Sequence, residues 1–129
     1  VSLEAYDVLI LPGGLGTRKL KDDPEFVRWI QTARSVPLKT SVCTGSLLLG
    51  AAGFLRGKRA TTHFSEYETL RNYGAVVVRE TVVDDGDLIT AGAVSASIQL
   101  GLYLCEKWAG EDARQKISAS MGLKGSLET

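Results

Sequence analysis

Apolar runs of two kinds alternate along this chain. Residues 6–11 read Tyr-Asp-Val-Leu-Ile-Leu, a nearly continuous apolar run that predicts a strand buried on both faces, as in a parallel sheet. Pro12-Gly13-Gly14 stops it. Pro24 opens a helical pattern in which Phe26, Val27, Ile30 and Ala33 form an apolar stripe. Val36-Pro37 interrupts, and residues 38–43 predict a second strand. Residues 45–53 are rich in Leu, Ala and Gly and predict a buried helix with close backbone packing. A short strand follows at 59–62. Ser65 with Glu68 is a capping-box signature for a helix through Asn72 that Gly74 can end. Residues 75–83 are β-branched and strand-like, and Asp85-Gly86 predicts a tight hairpin turn before a strand at 88–91. Residues 94–108 predict a long helix with Ile98, Leu102 and Cys105 on one stripe. Gly110 ends it, residues 111–121 predict a last amphipathic helix, and the tail after Gly122 reads as loosely held.

Strands alternating with helices across glycine-rich turns predict an open α/β sandwich. The chain shows no internal repeat, low-complexity stretch or linker, so residues 1–129 read as one domain. That length supports a real hydrophobic core. Sites in such sheets lie beyond the carboxyl ends of the strands. Gly13, Gly14 and Cys43 all fall at that edge.

Charge removes some classes of function. Fifteen basic and fifteen acidic residues give a formal net charge of zero, which offers no broad basic face for nucleic acid. Lys19 and Lys21 stand beside Asp22 and Asp23 and read as a solvated loop. The two cysteines, Cys43 and Cys105, are far apart, with His63 the only histidine; no zinc-ligand spacing is present. No metal or other cofactor is expected. Nothing marks a secreted disulfide scaffold. The apolar stretch 47–55 is too short to span a bilayer, and no signal peptide leads the chain. The expectation is a soluble cytoplasmic protein with no membrane partner.

Cys43 carries the strongest chemical signal. It lies in Val42-Cys43-Thr44-Gly45, where a strand pattern gives way to a helical one. Amides of Thr44, Gly45 and Ser46 would open that helix, and their dipoles favour an anion and can lower a thiol pKa. A thiolate there would be a nucleophile; the alternative is a small buried hydrophobe. Gly13 and Gly14 could present amides to a developing negative charge, or simply supply a turn with positive φ. Thr44 could hydrogen-bond the substrate or thiolate, or be an ordinary early helix residue. His63 follows a strand and could be a general base, or support a turn. Cys105, within a helical stripe, reads as packing.

Together these residues resemble the DJ-1/PfpI superfamily. The match runs through DVLILPGG (7–14), SVCTGS (41–46), GAAGFLRGKRATTH (50–63) and ITAG (89–92), and extends into the helix from Ser95. The resemblance implies a three-layer sandwich with a mostly parallel, flavodoxin-like sheet of the class I glutamine amidotransferase type. Cys-Thr-Gly with a later Ala-Thr-Thr-His looks most like the isocyanide hydratase branch and the amidase-like domain of AraC-type regulators. No helix-turn-helix module follows here, which favours a free-standing protein. The resemblance makes Cys43 the elbow nucleophile, with Gly14 and Thr44 supplying backbone amides, Thr44 adding its side chain, and His63 near the pocket. Protease-like members place histidine directly after the nucleophile, where this chain has Thr44.

Three departures stand out. Family members usually carry one more βαβ-sized segment before the Asp7 strand, bearing an Asp or Glu that contacts the nucleophile, so the domain is expected to be N-terminally incomplete. A homodimer, or association with that segment, would hide the exposed edge. The hydratase branch tends to have Gly where Ala93 stands and an acidic residue where Gln99 stands. The expected function is cysteine-dependent hydration of a small electrophile, most specifically an isocyanide to an N-substituted formamide. The alternatives are a glyoxalase- or deglycase-like activity on an α-oxoaldehyde or its adduct, and a non-catalytic redox-sensing or ligand-binding role.

Overall fold

The structure is a computed structural model that describes residues 1–123. In chain order its strands are β1 (Val8–Leu11), β2 (Leu38–Val42), β3 (Arg59–Ala60), β4 (Val76–Val77), β5 (Val82–Asp84) and β6 (Leu88–Ala91). Four of them form the central sheet in the order β1-β2-β6-β5, and β3 pairs with β4 in a small second sheet. β1, β2 and β6 run parallel, and β5 returns antiparallel to β6. The hairpin at Asp85-Gly86 closes through Asp85 N–H donating to the Leu88 carbonyl at 2.8 Å.

The helices are α1 (Thr17–Leu20), α2 (Pro24–Gln31), α3 (Gly45–Ala51), α4 (Tyr67–Asn72), α5 (Ala96–Ala109) and α6 (Glu111–Ser120). α2 begins where the sequence dictates. Pro24 takes the first turn, and the Asp23 carboxylate accepts from the amides of Glu25 and Phe26 at 3.0 and 3.3 Å. Residues on alternate sides of the strands build two cores. Leu11 and Leu88 join Ile30, Leu47, Leu49, Leu55 and Leu70 on one face. Leu38, Ile89 and Ala91 join Ala96, Leu100 and Leu104 of α5 on the other. Helices thus cover both faces of the sheet, and α6 packs on α5.

Coverage is incomplete along β1. Among the described residues β1 pairs only with β2, which leaves its other edge without a neighbouring strand. Leu9 and Leu11 face the first core, while Ile10, pointing the opposite way, is 54% exposed.

Three local expectations are corrected. The β-branched run 75–83 is not one strand. It divides into β4 and β5, which belong to different sheets, because Val78 N–H bonds to Ala60 while Thr81 accepts from Gly92. The capping box at Ser65 does not form. A 3-10 turn at Phe64–Glu66 comes first, the His63 ring accepts the Ser65 amide, and α4 starts only at Tyr67. On α5 the stripe of Ile98, Leu102 and Cys105 has Leu102 buried and the other two half-buried, and the residues packed on the sheet are Ala96, Leu100 and Leu104. The cluster of Lys19, Lys21, Asp22 and Asp23, read as a solvated loop, begins inside α1, which holds Lys19. The expected loose tail lies outside the described residues, apart from Leu123.

Candidate active site

β2 ends at Val42, and the next residue turns the chain sharply into α3. Cys43 has φ +57 and is the only non-glycine residue with positive φ among the described residues. A side-chain-bearing residue in that region is strained by about 1–3 kcal/mol and persists only where its surroundings impose it. The surroundings are identifiable. Cys43 N–H donates to the Ala91 carbonyl on β6 at 3.0 Å. The Thr62 hydroxyl donates to the Cys43 carbonyl at 3.0 Å. The Ser46 hydroxyl reaches the same carbonyl at 3.2 Å. Cys43 is 8% exposed and unpaired in any disulfide.

The Pro12-Gly13-Gly14 turn lies directly over this elbow. A Cβ placed on Gly13 would stand 2.9 Å from the Cys43 Cβ and 3.0 Å from both the amide nitrogen and hydroxyl of Thr44. No larger residue allows that approach. Gly45 is as constrained, since its Cβ would fall 2.0 Å from the Leu11 carbonyl oxygen. Gly14 has φ +141, with open space where a side chain would be. Its requirement is conformational, whereas Gly13 and Gly45 answer to proximity.

Thr44 caps α3 with no hydroxyl bond into that helix; its side chain turns back to the glycine turn. Thr44 Oγ1 accepts from the Gly14 amide at 3.2 Å and lies 3.3 Å from the Gly14 carbonyl oxygen. Thr17, on α1, completes the group. Its hydroxyl is 2.8 Å from the Thr44 hydroxyl and 2.8 Å from the Gly14 carbonyl. Beneath the elbow lie further buried hydroxyls. Ser41 and Thr90 sit opposite each other on β2 and β6, and Thr90 accepts the Thr61 amide at 2.9 Å. Ser41 Oγ and Thr61 Oγ1 are buried without a hydrogen-bond partner, an arrangement that costs about 1–3 kcal/mol per group.

The predicted residues therefore divide. Cys43, Thr44 and Gly14 come together, with Gly13 nearer the cysteine than Gly14. His63 follows Thr62, which touches Cys43, but its Nδ1 is engaged. It accepts the Ser65 amide at 3.2 Å, lies 2.7 Å from Ser65 Oγ, and the ring stacks on Phe64 at 4.1 Å between centroids. With Nδ1 accepting, the proton of a neutral ring sits on Nε2. Arg18 Nε and Nη2 hold Glu66 Oε2 at 3.1 and 3.0 Å, which ties α1 to the turn after His63. Thr17 and Thr62 were not singled out from sequence. Their signal is a small hydroxyl residue just after a glycine turn and another at the end of a predicted strand.

Comparison with known proteins agrees with this geometry. A family model described as the DJ-1/PfpI family matches residues 1–107. The isonitrile hydratase of Pseudomonas putida is 42% identical over 116 residues, which are 89% of this chain and 51% of that protein. Protein dj-1beta of Drosophila melanogaster is 28% identical over 123 residues, 94% of this chain and 66% of that one. A solved THiJ/PfpI family protein from Pseudomonas syringae superposes with TM-score 0.87 at 32% identity, covering 92% of this chain and 50% of its own. The chain spans about half the length of the Pseudomonas putida protein and of the solved Pseudomonas syringae structure. None of the helices in the described residues is long and apolar enough to cross a membrane. With the strained cysteine elbow, the glycine turn above it and a match over most of its length, the chain belongs to the DJ-1/PfpI family.

Proposed function

We propose that this chain carries the nucleophile of an enzyme that hydrates isocyanides to N-substituted formamides. The observation that supports this reading most is Cys43 at φ +57, strained, buried and covered by glycine backbone, in a chain 42% identical to an isonitrile hydratase. The Cys43 sulfur attacks the terminal carbon of R–N≡C and forms an S–C bond. That carbon takes a proton, which gives a thioimidate, R–N=CH–S. Water then adds to the carbon, one of its protons goes to nitrogen and the other returns to the group that protonated the carbon, and the C–S bond breaks so that the thiolate leaves as R–NH–CHO forms. Thr44 orients the oxygen that adds, the Gly14 amide holds the Thr44 hydroxyl in place, and no metal or redox cofactor enters the scheme.

The proton on carbon requires an acid. No side-chain hydrogen bond or ion pair among the described residues joins the Cys43 sulfur to a carboxylate. We place that carboxylic acid on polypeptide outside these residues, seated along the free edge of β1, within the same protein or a second copy. His63, with Nδ1 held by Ser65, borders the mouth as a hydrogen-bond donor.

The test is direct. The natural polypeptide that contains these residues is incubated with benzyl isocyanide, and N-benzylformamide is measured. The expected result is formation by the native protein and none by Cys43→Ala. Turnover that survives in Cys43→Ala would remove covalent catalysis. Consumption of methylglyoxal with no action on the isocyanide would instead select the α-oxoaldehyde chemistry.

A further inference from the structure

Thr17 has the two shortest bonds in the group around the glycine turn, and it does not touch the cysteine. Its side chain is 4% exposed. Three donors and three acceptors meet there: the Gly14 amide and two hydroxyls, against two hydroxyl oxygens and the Gly14 carbonyl. One proton arrangement uses the short distances throughout. Thr17 donates to the Gly14 carbonyl at 2.8 Å, Thr44 donates to Thr17 at 2.8 Å, and Gly14 N–H donates to Thr44 at 3.2 Å. The ring is closed and each group is satisfied. In this state the Thr44 proton points to Thr17 and away from any ligand.

A second arrangement needs only two hydroxyl rotations. Thr44 turns its proton to an oxygen formed at the cysteine. Thr17 then turns its own proton from the Gly14 carbonyl onto Thr44 Oγ1, over the same 2.8 Å. A hydroxyl that receives a hydrogen bond is a better donor. Without Thr17, the nearest other acceptor for the Thr44 proton is the Gly14 carbonyl at 3.3 Å, and the hydroxyl swings to the wrong side.

We infer that Thr17 is a positioning residue: its buried hydroxyl sets Thr44 as the donor to the oxygen of an adduct formed on Cys43. This rests on the reading of Cys43 as a nucleophile. It adds a residue on a separate helix, and the position predicts a split between two reactions of the same thiol. Adducts with an oxygen on the carbon bonded to sulfur depend on Thr17, whereas simple alkylation does not.

The experiment needs no turnover. Acetaldehyde adds reversibly to a thiol: an S–C bond forms, the carbonyl π pair moves to oxygen, and the thiol proton reaches that oxygen through solvent. Its affinity for Cys43 is measured as protection against iodoacetamide, whose alkylation leaves no such oxygen. The expected result for Thr17→Val is acetaldehyde affinity about tenfold weaker, on the scale of one lost hydrogen bond in a buried site. The unprotected alkylation rate stays within about twofold of native, and Thr17→Ser recovers the affinity. If Thr17→Val does not fold, Thr17→Ala makes the same comparison. Unchanged affinity, failure of Thr17→Ser to recover it, or a parallel fall in alkylation overturns the assignment. If native Cys43 is alkylated but never protected, both this inference and the nucleophile reading fall; if native protection is normal and only the Thr17 variants disagree, the nucleophile reading stands alone.

Discussion

The two ends of β2 each bury a group that proteins seldom bury, and they do so in opposite ways. Near the amino end, Lys39 is buried, yet its ammonium donates to the Arg34 and Val36 carbonyls at 3.1 and 3.0 Å and lies over the Phe54 ring at 5.0 Å. At the carboxyl end, Cys43 holds a left-handed backbone, and two hydroxyls close by, Ser41 and Thr61, have no partner. Lys39 is a satisfied charge that pins a turn. The Cys43 end keeps strain and unpaired polar groups that a stability-driven design would remove. That difference, more than burial itself, separates structure from site.

The comparison breaks most severely at Gly45. Gly45→Ala drives a Cβ into the Leu11 carbonyl at 2.0 Å. It should destabilise the protein by at least about 3 kcal/mol in chemical unfolding, because backbone on both sides must shift. At the other end, Lys39→Met leaves the Arg34 and Val36 carbonyls without their donor and should cost about 2 kcal/mol near neutral pH. Its pH dependence is the sharper measurement. Burial lowers the Lys39 pKa from 10.5, with Asp87 raising it and Lys58 lowering it further. Between the lowered folded value and 10.5 the unfolded chain binds more protons, so stability rises with pH through that window. The neutral amine still has two N–H groups for the same two carbonyls. The stability gap between native protein and Lys39→Met should therefore widen as pH climbs toward 10.5. A gap that narrows would mean that the amine is not desolvated.

The third effect is smaller and has the opposite sign. Cys43→Gly removes the strain at φ +57 and should stabilise the protein by about 1 kcal/mol, while abolishing thiol chemistry. A loss of stability would show that the sulfur packs more favourably than its backbone is strained. The smallest is Cys105→Ala, half-buried on α5, which should leave the Cys43 alkylation rate unchanged and stability within about 1 kcal/mol.

Legibility in the sequence followed the same division. The strands β1, β2 and β6 could be read because their apolar runs are bounded by Pro12, Pro37 and Asp85-Gly86. The elbow could be read because a strand pattern meets a helical one at Cys43. The 75–83 run misled, since β-branching reports a preference for extended backbone and not which sheet accepts it. Ser65 and Glu68 had capping-box spacing, but the His63 imidazole took the Ser65 amide first. Thr17 stayed hidden for a different reason. Its importance comes from two 2.8 Å contacts, one of them to a residue twenty-seven positions away, and no local pattern encodes that.

Both backbone groups of Cys43 are tied to neighbouring segments, the amide to Ala91 and the carbonyl to Thr62. The cysteine thus acts as an internal gauge. Any treatment that shifts β6 against β2 releases the amide, lets the elbow relax, and changes the thiol's reaction rate. Following Cys43 labelling against temperature would record the parting of those two central strands at the one residue that reports on both.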